Sequence, residues 1–249
     1  MIPDVSISMM RWDLGALRGH VQRLFGSDQR RIVSSCIRSV VDRREFTRHH
    51  YNEAMRAIAA KIEGRPNYEV MAAMLGAYDK ETGSFEDARF AAYLNIVACV
   101  HNMRAVADNL VHLAYFATGM NLDNATRIEE RSISLHQVKD KLLAPELVED
   151  LKILHSHDDF RYLVALDNLC KHRSIVDVGF SVSEVEATHG MRINAFSYEG
   201  TNYPQRWVRP LLVAEYQRQE IQIMLAGNHL NDYVGGLRSR HLGPPSLEH

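Results

Sequence analysis

The stretch Asn95–Ala117, NIVACVHNMRAVADNLVHLAYFA, decides the fold. At about 100° per residue, Cys99, Met103, Val106, Leu110, Leu113 and Ala117 fall on one face of a helix, while His101, Arg104, Asp108, His112 and Tyr115 stack on the opposite one. The apolar face predicts a long helix around which other helices pack. The polar stripe is where this chain concentrates its chemistry. A second segment, Asp158–Arg173, DDFRYLVALDNLCKHR, predicts a partner helix whose own stripe holds Arg161, Asn168 and His172, with Lys171 and Arg173 beside it.

Working outward, Trp12 to Phe25 reads as a short amphipathic helix ended by Gly26, with Ser27 or Asp28 capping the next segment. Apolar residues recur at three- and four-residue intervals from Ile32 to Ile62, as one kinked helix or two consecutive ones, until Gly64 and Pro66 stop the pattern. Tyr68–Tyr78 predicts another helix, closed by a turn at 79–83, and Ser84 with Asp87 resembles a capping box opening the central helix. Residues 120–132 read as a surface connection, and two short helices follow at about 134–143 and 145–155. After Ser174 the period changes from 3.6 to 2. Val176, Val178, Phe180 and Val182 alternate with polar or small residues, Thr188-His189-Gly190 is turn-like, and Met191–Tyr198 is strand-like again. A last helix spans roughly 209–234 and ends at Gly235-Gly236.

The expected fold is therefore mainly α, a helical bundle with a small antiparallel β-hairpin around 175–199. The expected organisation is one domain over 1–246: N-terminal helices in 1–83, a central bundle in 84–173, the hairpin in 174–200 and a C-terminal helix in 207–237. Leu247–His249 resembles the start of a purification tag.

A chain of 249 residues with 46% hydrophobic content can bury a large core without staples. Its 29 basic and 31 acidic side chains leave a net charge of −2, which neither implies nor excludes nucleic acid. The basic bias is local: residues 1–65 hold 12 Lys and Arg against 7 Asp and Glu. Cys36, Cys99 and Cys170 are far apart and lie in helical patterns, as small buried residues do in a reducing compartment. The absence of a long apolar run and of a signal-peptide pattern predicts a cytoplasmic protein with no membrane contact.

Several chemistries lose their main support. There is no GxxxxGK[ST] loop, no GxGxxG after a strand and no GxSxG elbow. Without HExxH, Glu-x-x-His or CxxC, the spacing of His101, Asp108, His112 and His172 is non-specific for a metal, so no metal and no cofactor is expected. His155-Ser-His157 reads as a loop with two exposed imidazoles. What remains is the paired stripes. Facing each other, they bring guanidinium, carboxylate, amide and imidazole groups into one cleft, a set that suits a phosphate and proton transfer near neutral pH. Facing water, they are ordinary helix surface, where the Arg104–Asp108 pair contributes about 0.2–0.5 kcal/mol.

His101-Asn102-Met103-Arg104 followed by Asp108, and then Leu166-Asp167-Asn168-Leu169-Cys170-Lys171-His172-Arg173, resemble a group of bacterial helical proteins. That group carries a His-Asn-Leu-Arg, three residues, Asp-His-Leu helix and a Leu-x-Asn-x-x-Lys-His-Arg element leading into strands. The likeness covers roughly residues 95–183, and its Arg-x4-His spacing resembles HEPN-type helical bundles. Such a resemblance implies a metal-independent ribonuclease, or an inactive or nucleotide-binding relative, with a site often formed across a homodimer. Arg104 matches the arginine of the motif and Asp108 the residue before its histidine. The histidine position itself is Asn109, which cannot exchange a proton near pH 7. His112, one turn on, is the nearest imidazole of the stripe, although the resemblance itself does not supply it.

The expected roles are Arg104 for phosphate contact, Asp108 for orienting its neighbours, and His112 or His172 as acid or base. His101, Asn109, Asn168, Lys171 and Arg173 are the expected binding residues, and RNA or a nucleotide the expected ligand of a homodimer. Two other classes stay open: a non-catalytic partner of toxin–antitoxin or defence type, and a metal-binding helical-bundle enzyme.

Overall fold

The computed structural model describes residues 11–75, 79–183, 185–186 and 188–237, and only the backbone of 79–83. Helices dominate. They are α1 (Leu14–Ile62), α2 (Asn67–Met74), α3 (Asp79–Ala117), α4 (Leu135–Val138), α5 (Pro145–Ser156), α6 (Asp158–His172) and α7 (Val208–Gly236). The strands are short: β1 (Val178–Ser183), β2 (Thr188–Ile193), β3 (Phe196–Tyr198), β4 (Thr201–Tyr203) and β5 (Arg206–Trp207). The chain is mainly α with a small antiparallel sheet, as its periodicities predict. Among the described residues, no helix is long and apolar enough to cross a membrane.

Two compact units form. One comprises Val41–Ala107 with Leu154–Ile221; the other comprises Asp108–Ile153 with the described residues before 41 and after 221. The first unit is built around α3 and α6. Ile96, Cys99, Val100 and Met103 of α3 meet Leu163, Leu166 and Leu169 of α6 in one buried cluster. The sheet joins the same core through Val178, Phe180, Met191 and Ile193, with the Phe85 ring edge-on to Phe180 at 5.3 Å. At about 25 cal/mol per Å² of apolar surface, this burial is the main force fixing the two helices together.

The predicted apolar face of α3 is buried at every position from Cys99 to Ala117. Its predicted polar face is less uniform. Tyr115 is buried, not exposed: its hydroxyl donates to the Ile128 carbonyl (3.2 Å) and accepts from the Ile128 amide (3.0 Å), so the ring fills its own unit while its polar tip is satisfied.

One boundary falls as the sequence reads it, and three differ. The break expected at Gly26 is present: this residue takes a positive φ of 87° with ψ −177°, so α1 is two helical segments meeting at a kink, and the segment beyond it runs on to Ile62. The turn expected at 79–83 is already helix α3, so Ser84 caps nothing and instead accepts a hydrogen bond from Lys61. Burial of Phe85 and Ala92 outweighs the modest cost of Gly83 in a helix. The helix expected at 134–143 shrinks to the single turn of α4. The hairpin turn lies before Thr188, because Val178 pairs with Ile193 and Ser183 with Thr188. Thr188, His189 and Gly190 are therefore strand, and the segment read as one strand to Tyr198 breaks after Ile193 to start a second hairpin, β3–β4.

Candidate functional site

The first unit buries a charge where the helical pattern calls for an apolar residue. Asp167 lies on the inner face of α6 beside Leu163 and Leu166, and is only 4% exposed. Behind it is a hollow of about 10 Å³ lined by Val97, Val100, Cys170 and Val176, too small to hold a water molecule comfortably. A carboxylate in such dry surroundings needs partners. Lys171, one turn along α6, places its Nζ 2.7 Å from Oδ2. Arg104 of α3 donates to the same oxygen at 3.0 Å, and His101, one turn earlier on α3, sets Nδ1 3.3 Å from Oδ1. Although burial pushes the Asp167 pKa up, the hydrogen bonds from Lys171 and Arg104 outweigh it and hold the group below its ordinary value.

The three partners keep access to solvent. Their side chains are 26% (Arg104), 34% (Lys171) and 38% (His101) exposed. Two cations and an imidazole thus converge on one carboxylate. Because Nδ1 of His101 faces Asp167, its Nε2 is the nitrogen left to meet a ligand. The arrangement can bind an anion, orient an imidazole and stabilise charge developing on a phosphate.

Of the residues the sequence singled out, His101, Arg104 and Lys171 are thus brought together. Asn168 and Arg173 lie on adjoining faces of the same end of α6; Arg173 sits over the Tyr198 ring, 5.5 Å from its centre. The stripe expected to meet α3 is displaced by one position: Asp167 and Lys171 face it, rather than Arg161, Asn168 and His172. Arg161 is exposed and 3.7 Å from Asp158. His172 is exposed, and among the described residues no hydrogen bond or ion pair connects it with Arg104 or Asp167. Asp108, Asn109 and His112 belong to the other unit, where Asp108 is exposed and the other two are half-buried.

Sequence reasoning missed Asp167 as the organiser. The signal was present: an acid in step with Phe160, Leu163 and Leu166, with a lysine four residues on, is a charge on an apolar face.

One potential metal-ligand set exists among the described residues. His157, Asp159 and Glu215 bring ligand atoms within 4.8 Å of one another. Arg206 already pairs with Asp159, and Arg218 with Glu215, so the two carboxylates are neutralised within the protein. His157 is exposed between two helices, as expected, and caps α6 by accepting the Asp159 amide at 3.3 Å, whereas His155, also expected in the loop, lies in α5 half-buried with its ring edge-on to Phe160. The cysteines carry no reactive signature. Burial pushes the Cys99 thiol up to about 12 and that of Cys36 up to about 11.

Against known proteins, no family model, curated protein or solved structure matches this chain.

Proposed function

We propose that the chain acts on RNA through the cluster organised by Asp167. The observation that carries this reading is the convergence of His101, Arg104 and Lys171, all partly exposed, on one buried carboxylate. The chemistry suited to these groups is transesterification. Nε2 of His101 takes the proton of an RNA 2′-hydroxyl, the 2′-oxygen attacks the adjacent phosphorus, and the bond to the 5′-oxygen breaks with its electron pair. That oxygen regains a proton from the imidazolium, which restores neutral His101 and leaves a 2′,3′-cyclic phosphate. Arg104 and Lys171 stabilise the negative charge on the phosphorane oxygens. Asp167 is a positioning residue, holding the imidazole tautomer and the two cations in place. The resemblance to HEPN-type bundles supports the same substrate class, with His101 taking the acid–base role in place of His112 or His172.

A second copy of the chain is the proposed partner. On α3, Phe90 and Leu94 are 59% and 52% exposed and continue through Val97, His101 and Arg104 at alternating spacings of four and three. A two-fold axis beside this seam would set it against its own copy and shelter its apolar half. It equally favours the alternative class, a protein-interaction module without catalysis.

Cleavage of a fluorogenic RNA oligomer in the presence of chelator tests the reading. Wild type cleaves, and Arg104→Ala loses activity by roughly 10²–10³-fold. A folded wild-type protein that neither cleaves nor binds the oligomer contradicts it and leaves the interaction module standing; activity lost to chelator alone points to a metal enzyme.

A further inference from the structure

Next to Asp167 on α6 is the half-buried Asn168, and β3 packs on α6. The hairpin turn has two central residues, Glu199 and Gly200, because Tyr198 pairs with Thr201. Both have positive φ, 48° at Glu199 and 77° at Gly200, the backbone of a type I′ turn. Gly suits that geometry; Glu does not. Asn, Asp or Gly is the usual choice at the first position, and Glu199 is the only non-glycine residue with positive φ among those described. A costly residue at a turn calls for a reason, and here its carboxylate lies in chemically suggestive company.

Four groups from two elements meet at this point. Tyr198 directly precedes Glu199 at the turn, and β3, the strand that carries it, packs on α6, the helix that carries Asn168. The Arg173 guanidinium covers one face of the Tyr198 ring at 5.5 Å, while its own outer side is exposed. Desolvation first, and then the Glu199 carboxylate, hold the Tyr198 phenol above its ordinary value, so it remains a neutral donor.

A planar cation backed by an aromatic ring is a stacking surface for a nucleobase, and an exposed carboxylate beside it accepts two hydrogen bonds from adjacent N–H groups. Among the four RNA bases, only guanine presents such a pair on its Watson–Crick edge, at N1 and N2. We propose that Arg173, Tyr198, Asn168 and Glu199 form a guanine-binding subsite beside the phosphate cluster. The base stacks on the outer face of Arg173, Glu199 accepts from N1–H and the N2 amino group, and the Asn168 amide donates to O6. This inference deepens the RNA reading by naming the base that the site selects. It explains why Glu occupies a position where Asn would fold more easily.

Equilibrium dialysis of the full chain against guanosine, adenosine, cytidine and uridine tests the subsite without any phosphate. Guanosine binds about tenfold more tightly than the other three. Glu199→Gln, which keeps size and removes the acceptor pair, levels the four. Glu199→Asn also levels them while raising Tm by roughly 1–3 °C, because Asn fits the left-handed turn. Arg104→Ala retains the guanosine preference. Four nucleosides bound alike, none bound, or a preference that survives Glu199→Gln overturns the subsite. Discrimination that persists in a protein with no action on RNA instead upholds the subsite and removes the cleavage reading.

Discussion

Two carboxylates are buried in the same unit, and they are solvated by the protein in opposite ways. Glu215 is fully buried, and its hydrogen bonds come from its own helix: Arg218 donates to both oxygens at 2.7 Å and Gln219 donates at 2.8 Å, while His157 at the start of α6 approaches only to 3.6 Å. Arg218 also donates to the Leu154 carbonyl at 2.9 Å, which ties α7 to the end of α5. Asp167 draws its partners from two helices, and each partner keeps about a quarter to two-fifths of its side chain in solvent. The first arrangement closes its hydrogen bonds inward and leaves little for a ligand. The second holds the charged heads of Arg104 and Lys171 on side chains that remain partly in solvent. Burial of an acid therefore accompanies a strut in one place and a candidate site in the other, and the exposure of the groups hydrogen-bonded to it distinguishes them.

The largest expected effect breaks the strut. Glu215→Ala removes the counter-charge of the mostly buried Arg218 guanidinium, although the Leu154 carbonyl still accepts from it, and should cost about 3–5 kcal/mol, read as a lower urea midpoint. Any activity should fall only in proportion to the folded fraction. Asp167→Asn should reverse that balance. It removes the charge but not the volume and leaves two cations with water to turn to, so stability should drop by about 1–2 kcal/mol. RNA cleavage should fall on the order of 10²-fold as the imidazole and guanidinium lose their alignment. If Asp167→Asn unfolds the chain and Glu215→Ala does not, the roles assigned to the two acids are exchanged.

The pH dependence sharpens the same contrast. The pKa of Asp167 is depressed in the folded state, so its contribution to stability is fully present above the ordinary value of 3.8 and is lost as pH falls through the lower folded value. Urea titrations should therefore show wild type ahead of Asp167→Asn by a constant margin at about pH 5–7, shrinking toward zero near pH 2. A margin that grows on acidification contradicts the depressed pKa. The smallest effect belongs to His172→Ala. An exposed imidazole outside the cluster should change stability by less than about 0.5 kcal/mol and activity by no more than a few-fold.

Whether a feature is legible in the sequence depends on what kind of fact it is. The α3 core face was readable because six apolar residues in helical step have few other uses, and all six are buried. Tyr115 was not, because its burial depends on the Ile128 backbone meeting its hydroxyl, a contact with no periodic signature. The first hairpin was visible from alternation, but its turn was not. Gly190 looks like the corner, whereas pairing of Phe180 with Met191 holds it inside a strand. In the candidate site, Arg104, His101 and Lys171 were identifiable as separate bearers of charge. Which face of α6 meets α3 is decided by packing, and a rotation of one residue exchanges Asn168 and His172 for Asp167 and Lys171. Glu199 was silent for a similar reason, since its positive φ is fixed by the register of β3 on β4.

NMR of the histidine side chains tests most directly which imidazole meets the proposed ligand. On titration with a 2′-deoxy dinucleotide that cannot be cleaved, the ring resonances of His101 should shift while those of His172 stay within error. Movement of His172 with His101 unchanged would contradict the assignment and place the ligand away from Asp167.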